Sequence, residues 1–204
     1  MPTQKKLFLP GAAGRIEGIV HLPDDVPRAI AVVAHPLPIM GGTMDNKVVT
    51  TLAKAFVESG YATLRFNFRG VGESAGSYGE GKGETLDAIT VAEFMRSEFP
   101  NLPLLLAGFS FGGYVQARAA AELQPQQMVL VAPAVGRFAM PDVPADTLVI
   151  HGDLDEVVEL QEVLAWARPQ HLPVIELAGA GHFFHGKLTE LKLIVLQHVG
   201  GVSK

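Results

Sequence analysis

The chain contains no cysteine. That absence excludes disulfides, a thiolate nucleophile and any metal held by cysteine sulfur. It also lacks a dominant charge. Sixteen Lys and Arg stand against 21 Asp and Glu, for a net charge of -5, and the cations are scattered rather than gathered in the stripe expected of a nucleic-acid binder. Long apolar runs are missing too. Near the start, Lys5 and Lys6 precede only Leu7, Phe8 and Leu9 before Pro10 and Gly11. This is too short for the core of a secretory signal, and no later run approaches the roughly 18–20 residues of a spanning helix. These features lead us to expect a cytoplasmic protein without a membrane partner. No repeat, low-complexity tract, metal cluster or cofactor motif appears, so no cofactor is expected. Oligomeric state is not legible.

What is present is a chain of 204 residues, 48% hydrophobic and 18% charged, which suits one domain spanning residues 1–204. Strand-like pieces come first: Arg15–Leu22 and the continuous apolar run Ala29–Ala34. The chain then alternates. Helical spacing over Val48–Ser59, Glu84–Phe99, Gly112–Leu123, Val157–Arg168 and Leu188–Val199 is interleaved with strand patterns at Tyr61–Phe68, Leu102–Phe109, Met128–Ala132, Thr147–His151 and Val174–Leu177. Within Glu84–Phe99, residues Leu86, Ile89, Val91, Ala92, Phe94 and Met95 are expected mostly inward. Alternation of this kind implies an α/β architecture, a mostly parallel sheet covered on both faces. The first strands have no helix between them and are expected to form an antiparallel edge.

The pattern Gly-x-Ser-x-Gly occurs twice, around Ser110 (GFSFG) and around Ser74 (GESAG). A nucleophile elbow requires a strand before the serine, a tight turn at it and a helix behind. Ser110 has all three. The positions two before and two after must be glycine, because the backbone folds back on itself there. Ser74 is followed by Ala75 to Gly83, a turn-rich stretch that does not open a helix, and reads as a loop serine. The same stretch nearly spells a phosphate-binding loop, but Gly83 stands where the magnesium-binding Ser or Thr belongs and no strand precedes it.

A serine hydroxyl needs a base. His182 lies in the glycine-rich loop after the strand Val174–Leu177 and is the best-placed histidine. His185 is a weaker rival, His171 lies at the wrong end of its strand, His198 is on the last helix, and His151 precedes the acid. Asp153 and Asp155 both lie just past the strand ending at His151, with Glu156 behind them. Spacing does not choose between the two aspartates, and the one not used as the acid is expected to cap the helix near Val157. The loop after Ala34 reads His35-Pro36-Leu37-Pro38-Ile39-Met40-Gly41-Gly42. Prolines carry no N–H, so Leu37 offers the nearest backbone donor there for an oxyanion, alongside Phe111. His35 and the prolines could equally serve only to stiffen that loop.

Together, His35-Pro36-Leu37, the segment Asn67–Ser74, Gly108–Gly113, His151–Asp155 and Gly181-His182 resemble the α/β-hydrolase superfamily. The likeness is greatest to its compact serine hydrolases that lack a lid and carry His-Pro where others carry His-Gly. The resemblance implies the α/β-hydrolase fold and a catalytic triad of Ser110, Asp155 and His182. It favours Asp155 over Asp153 and places Leu37 as an oxyanion donor. It also implies hydrolysis of a small-molecule ester, with thioesterase, lactonase, peptidase or a non-catalytic binding role as alternatives on the same scaffold. Only Pro133–Asp146 occupies the place of a helical lid, so no such lid is expected. Leu37, Ile39, Met40 and Phe183 are candidate substrate contacts. Phe109, Phe111 and Phe184 divide between pocket and core.

Overall fold

A computed structural model describes residues 3–200. Eight strands form one sheet: β1 (Thr3–Gly11), β2 (Gly14–Leu22), β3 (Ala29–Ala34), β4 (Tyr61–Phe66), β5 (Leu104–Phe109), β6 (Gln127–Val131), β7 (Thr147–Gly152) and β8 (Val174–Leu177). The spatial order is β1-β2-β4-β3-β5-β6-β7-β8. Pairings β1–β2 and β2–β4 are antiparallel and the rest are parallel.

The antiparallel edge is therefore present, but its outer member is the unanticipated β1, while Ala29–Ala34 sits inside the parallel part. The reason is burial. All six residues of β3 are buried, so it needs a neighbour on each side and a helix layer on each face. Strand β1, by contrast, is mostly exposed. Its Lys5, Lys6 and Pro10 suit an edge that must not recruit another strand.

Strand alternation divides the core. Ile30, Val32, Leu104 and Leu106 point to one face, packed with residues of α2 (Lys82–Glu98) and α3 (Phe111–Leu123). Ala31, Val33, Leu105 and Ala107 point to the other, packed with α1 (Lys47–Glu58) and α5 (Leu188–Gly200). Helix α4 (Leu160–Ala167) covers β7, with Val163 and Ala167 buried near Val149. Among the described residues no helix is long and apolar enough to cross a membrane.

Helix α2 keeps most of its expected inner face, with Val91, Ala92 and Met95 buried and Ile89 and Phe94 packed against the core, but its first turns differ. It begins at Lys82, two residues early, and Leu86 is half exposed while Glu84 and Asp87 are buried. Both acids are satisfied. Glu84 accepts hydrogen bonds from the N–H groups of Gly79 (2.7 Å) and Gly81 (2.8 Å). That carboxylate occupies donors a phosphate would need in this glycine-rich stretch. Asp87 takes a two-pronged contact from Arg69, at 2.8 and 3.0 Å, and a third bond from the Arg69 N–H. Buried carboxylates with such partners can occupy positions that hydrophobic spacing assigns to leucine. Helix α4 starts at Leu160, leaving Val157 and Val158 in a loop.

Candidate active site

Strand β5 ends at Phe109 and α3 begins at Phe111, so Ser110 alone makes the turn, at φ 53° and ψ -118°. This left-handed conformation is costly for a residue with a Cβ. Its surroundings hold it. The Ser110 N–H donates to the Val131 carbonyl at 2.9 Å, and its carbonyl accepts from the Gly113 N–H at 2.9 Å. A Cβ at Gly108 would lie 2.3 Å from the Gly112 carbonyl oxygen, and one at Gly112 would lie 2.3 Å from that of Ala34. Both glycines are required by the close approach of strand, elbow and neighbouring strand. Gln116, fully buried on α3, donates to the carbonyls of Val32 and Ala107 and ties the helix to β3 and β5.

The Ser110 hydroxyl lies 3.1 Å from His182 Nε2, and His182 Nδ1 lies 2.8 Å from Asp155 Oδ2. His182 is held in the loop after β8 and is nearly buried. Its ring packs against Phe109 and Phe183, each with centroids 5.1 Å away. Asp155 is buried in the loop after β7. Its second oxygen, Oδ1, accepts from the N–H groups of Val157 (2.9 Å) and Val158 (2.8 Å). Burial pushes this carboxyl's pKa up, but the hydrogen bonds from His182 and the two amides prevail, and it lies below the ordinary value. Asp155 therefore also takes the local amide-binding role expected of the other aspartate. Asp153 instead accepts from the Gly179 N–H at 2.7 Å and joins the two loops. Glu156 Oε2 accepts weakly from the His182 N–H at 3.4 Å.

The loop after β3 is braced by His35, which is fully buried. Its Nδ1–H donates to the Pro36 carbonyl at 2.6 Å and its Nε2 accepts from the Phe68 N–H at 3.1 Å. A backbone N–H can only donate, so this pairing sets the tautomer. Burial lowers the pKa of His35 to about 4, leaving it neutral. The Leu37 carbonyl accepts from Met40 and Gly42, while the N–H groups of Leu37 and Phe111 donate to no acceptor among the described residues.

Ser74 is a clamp. Its hydroxyl donates to the Asn67 carbonyl at 2.7 Å and accepts from the Glu17 N–H at 2.9 Å.

A cavity of about 620 Å³ opens at Ser110 and His182. Leu37, Met40, Phe111 and Phe183 are among its lining residues, whereas Ile39 is exposed and is not. Phe109 and Phe184 are fully buried in the core. The Phe111 side chain is also buried, among Phe68, Tyr78, Tyr114 and Phe138.

A family model described as serine aminopeptidase, S33 matches residues 25–141, more than half the chain. An uncharacterized protein of Rickettsia prowazekii is 31% identical over 209 residues, covering 91% of this chain and 84% of that one. A Xanthomonas campestris protein described as an α/β serine hydrolase without lid superposes with a TM-score of 0.93 at 44% identity, covering 96% of this chain and 93% of that one. The chain belongs to the α/β-hydrolase superfamily. A serine hydrolase homologue from Coxiella burnetii gives a TM-score of 0.89 at 39% identity, with 95% and 96% covered.

The hydrolase carries no helix between β6 and β7. The connecting segment instead contributes Ala134, Arg137 and Phe138 to the cavity wall, and the loop after β7 contributes Val157 and Val158. Sequence reasoning missed these five. The brevity of Pro133–Asp146 was the available signal, since a short connection at the carboxyl ends of the strands must run close to the site.

Proposed function

We propose that this serine hydrolase cleaves small or short-chain carboxylic esters through an acyl-enzyme, with Ser110 as nucleophile, His182 as general base and acid, and Asp155 as its orienting carboxylate. The observation that carries this reading is the unbroken line of contacts, 3.1 Å then 2.8 Å, from the elbow serine to a buried carboxylate, at the mouth of an apolar cavity. His182 Nδ1–H donates to Asp155 Oδ2, which leaves Nε2 unprotonated and facing the Ser110 hydroxyl. Ser110 Oγ attacks the ester carbonyl as its proton passes to Nε2. The tetrahedral oxyanion is held by the N–H groups of Leu37 and Phe111, each worth roughly 3–4 kcal/mol of transition-state stabilisation. The imidazolium, steadied by Asp155, then protonates the leaving alkoxide. Water repeats the sequence on the acyl-enzyme and frees the acid.

The apolar lining from Leu37, Met40, Phe138 and Phe183 suits an acyl chain, and the absence of a helical lid leaves the approach open. Labelling with a fluorophosphonate probe, followed by mass spectrometry of the modified peptide, is expected to find the label on Ser110 and to find none in Ser110→Ala. Hydrolysis of p-nitrophenyl acetate and butyrate is expected to fall by at least roughly a thousandfold in the same variant. A label on Ser74, or equal rates for variant and parent, removes the reading.

A further inference from the structure

Among the described residues the cavity wall contains one permanently charged side chain, Arg137, and no Asp or Glu. Arg137 sits in the segment that replaces a lid, and its position is imposed. Next to it Phe138 stacks on Tyr114 with centroids 4.8 Å apart and packs on Phe111 at 5.2 Å. The Phe138 N–H donates to the Ala134 carbonyl at 3.1 Å.

The guanidinium itself is anchored. Its Nε–H and one Nη2–H both donate to the Val157 carbonyl, at 3.2 and 2.9 Å. A guanidinium has five N–H donors. Two are used on the Val157 side, so the end of the fork formed by Nη1 and the remaining Nη2–H is open. Among the described residues no carboxylate oxygen lies within 4.0 Å of it. Glu162 packs against neighbouring Gly136 without pairing with it. Arg137 is solvent-exposed, and a cation anchored in this way beside the apolar side chains of Met40, Phe138 and Val157 is matched by a planar anion that takes two parallel hydrogen bonds.

We propose that Arg137 is a specificity residue that binds a carboxylate at the far end of the substrate, so that the preferred substrates are half-esters of short dicarboxylic acids. This deepens the esterase reading above and rests on it. Such a substrate places its ester at Ser110, its methylenes along Phe138 and Val157, and its free carboxylate on the guanidinium. The reaction at the ester is unchanged: water enters, the alkoxide leaves as alcohol, and the acid freed carries two carboxylates.

Two esters test the proposal: monoethyl glutarate and ethyl 5-methylhexanoate, in which an isopropyl group stands in place of the distal carboxylate. Hydrolysis is followed for the parent protein, Arg137→Met and Arg137→Lys. The ratio of kcat/KM, charged over neutral, is expected to fall roughly tenfold in Arg137→Met, mainly through KM, and to recover in part in Arg137→Lys. In the parent it is expected to shrink as salt is raised. A ratio that does not change in Arg137→Met, or an equal loss on both esters with a lowered melting temperature, makes Arg137 a loop clamp and overturns the proposal. Calorimetric binding of monoethyl glutarate to Ser110→Ala, with and without Arg137→Met, separates the two readings. Binding that depends on Arg137, in a protein whose parent hydrolyses neither ester, sinks the esterase and keeps the subsite. Hydrolysis without such dependence does the reverse.

Discussion

Ser110 shows how much geometry one residue can demand of its neighbours. Its positive φ is tolerable because Gly108 and Gly112 allow backbones to touch where any side chain would collide at 2.3 Å. The obstacles are carbonyl oxygens of the sheet and the helix start, which cannot rotate away. Gly108→Ala and Gly112→Ala are therefore expected to destabilise the fold by about 3 kcal/mol or more, read as a lowered urea midpoint. Asp155→Asn makes a different prediction. The amide can donate to His182 Nδ1 and favour the wrong tautomer, so kcat is expected to fall roughly 10⁴-fold with little change in KM. A small loss in esterase assays would mean that the carboxylate is not needed for orientation.

Among the elements, the connection between β4 and α2 braces the site from outside the cavity lining. It runs over Glu17 and is pinned to β2 by Ser74, while Asn67 Nδ2 donates to the Glu17 carboxylate at 2.7 Å. Asn67 Oδ1 accepts from the Met44 N–H at 2.8 Å, and the Phe68 N–H reaches His35, so the same segment braces the loop bearing Leu37. Ser74→Ala leaves the Glu17 N–H and the Asn67 carbonyl without their buried partner. It is expected to cost about 1–3 kcal/mol in denaturation while keeping the fluorophosphonate label on Ser110. Loss of the label in a folded Ser74→Ala would contradict that division of roles. Elements with continuous or periodic apolar spacing, such as β3, β5 and α1, were legible because burial alone decides them. In helix α2 only Leu86, of the residues expected inward, lies at the surface, because Glu84 and Asp87 take the buried places of the first turns and find their partners only after the loop has folded back. Strand β1 carries mostly exposed side chains, and a pattern method has little to detect there.

For the molecule as a whole, buried neutral histidines set the response to acid. Burial lowers His35 and His21 to about 4, with Arg65 beside His21 adding to its shift, and burial also lowers His151. In the unfolded chain these rings titrate near 6.5, so between that pH and about 4 the unfolded state binds more protons. Stability is thus full above about pH 6.5 and falls as the pH drops toward 4. His35 alone accounts for up to about 3 kcal/mol of this fall. Urea unfolding at pH 7 and pH 4.5 is expected to show it, with a shallower dependence in His35→Asn. A flat profile would mean that these rings are protonated in the fold. Asp155 acts lower down, since its stabilisation is lost only as the pH falls through its depressed pKa.

The sequence by itself determined the elbow, the class of sheet and the candidates for base and acid, because strand burial, glycine placement and chain order are local or one-dimensional properties. The tertiary structure decided the rest. Spacing leaves Asp153 and Asp155 open and only the likeness to the family motif favours Asp155; the fold sets Asp155 against His182 and turns Asp153 to the Gly179 N–H. It also decided which residues wall the cavity: Arg137, Phe138, Val157 and Val158 lie 27 to 48 positions after Ser110 and meet it only because parallel strands bring all their carboxyl-end loops to one edge of the sheet.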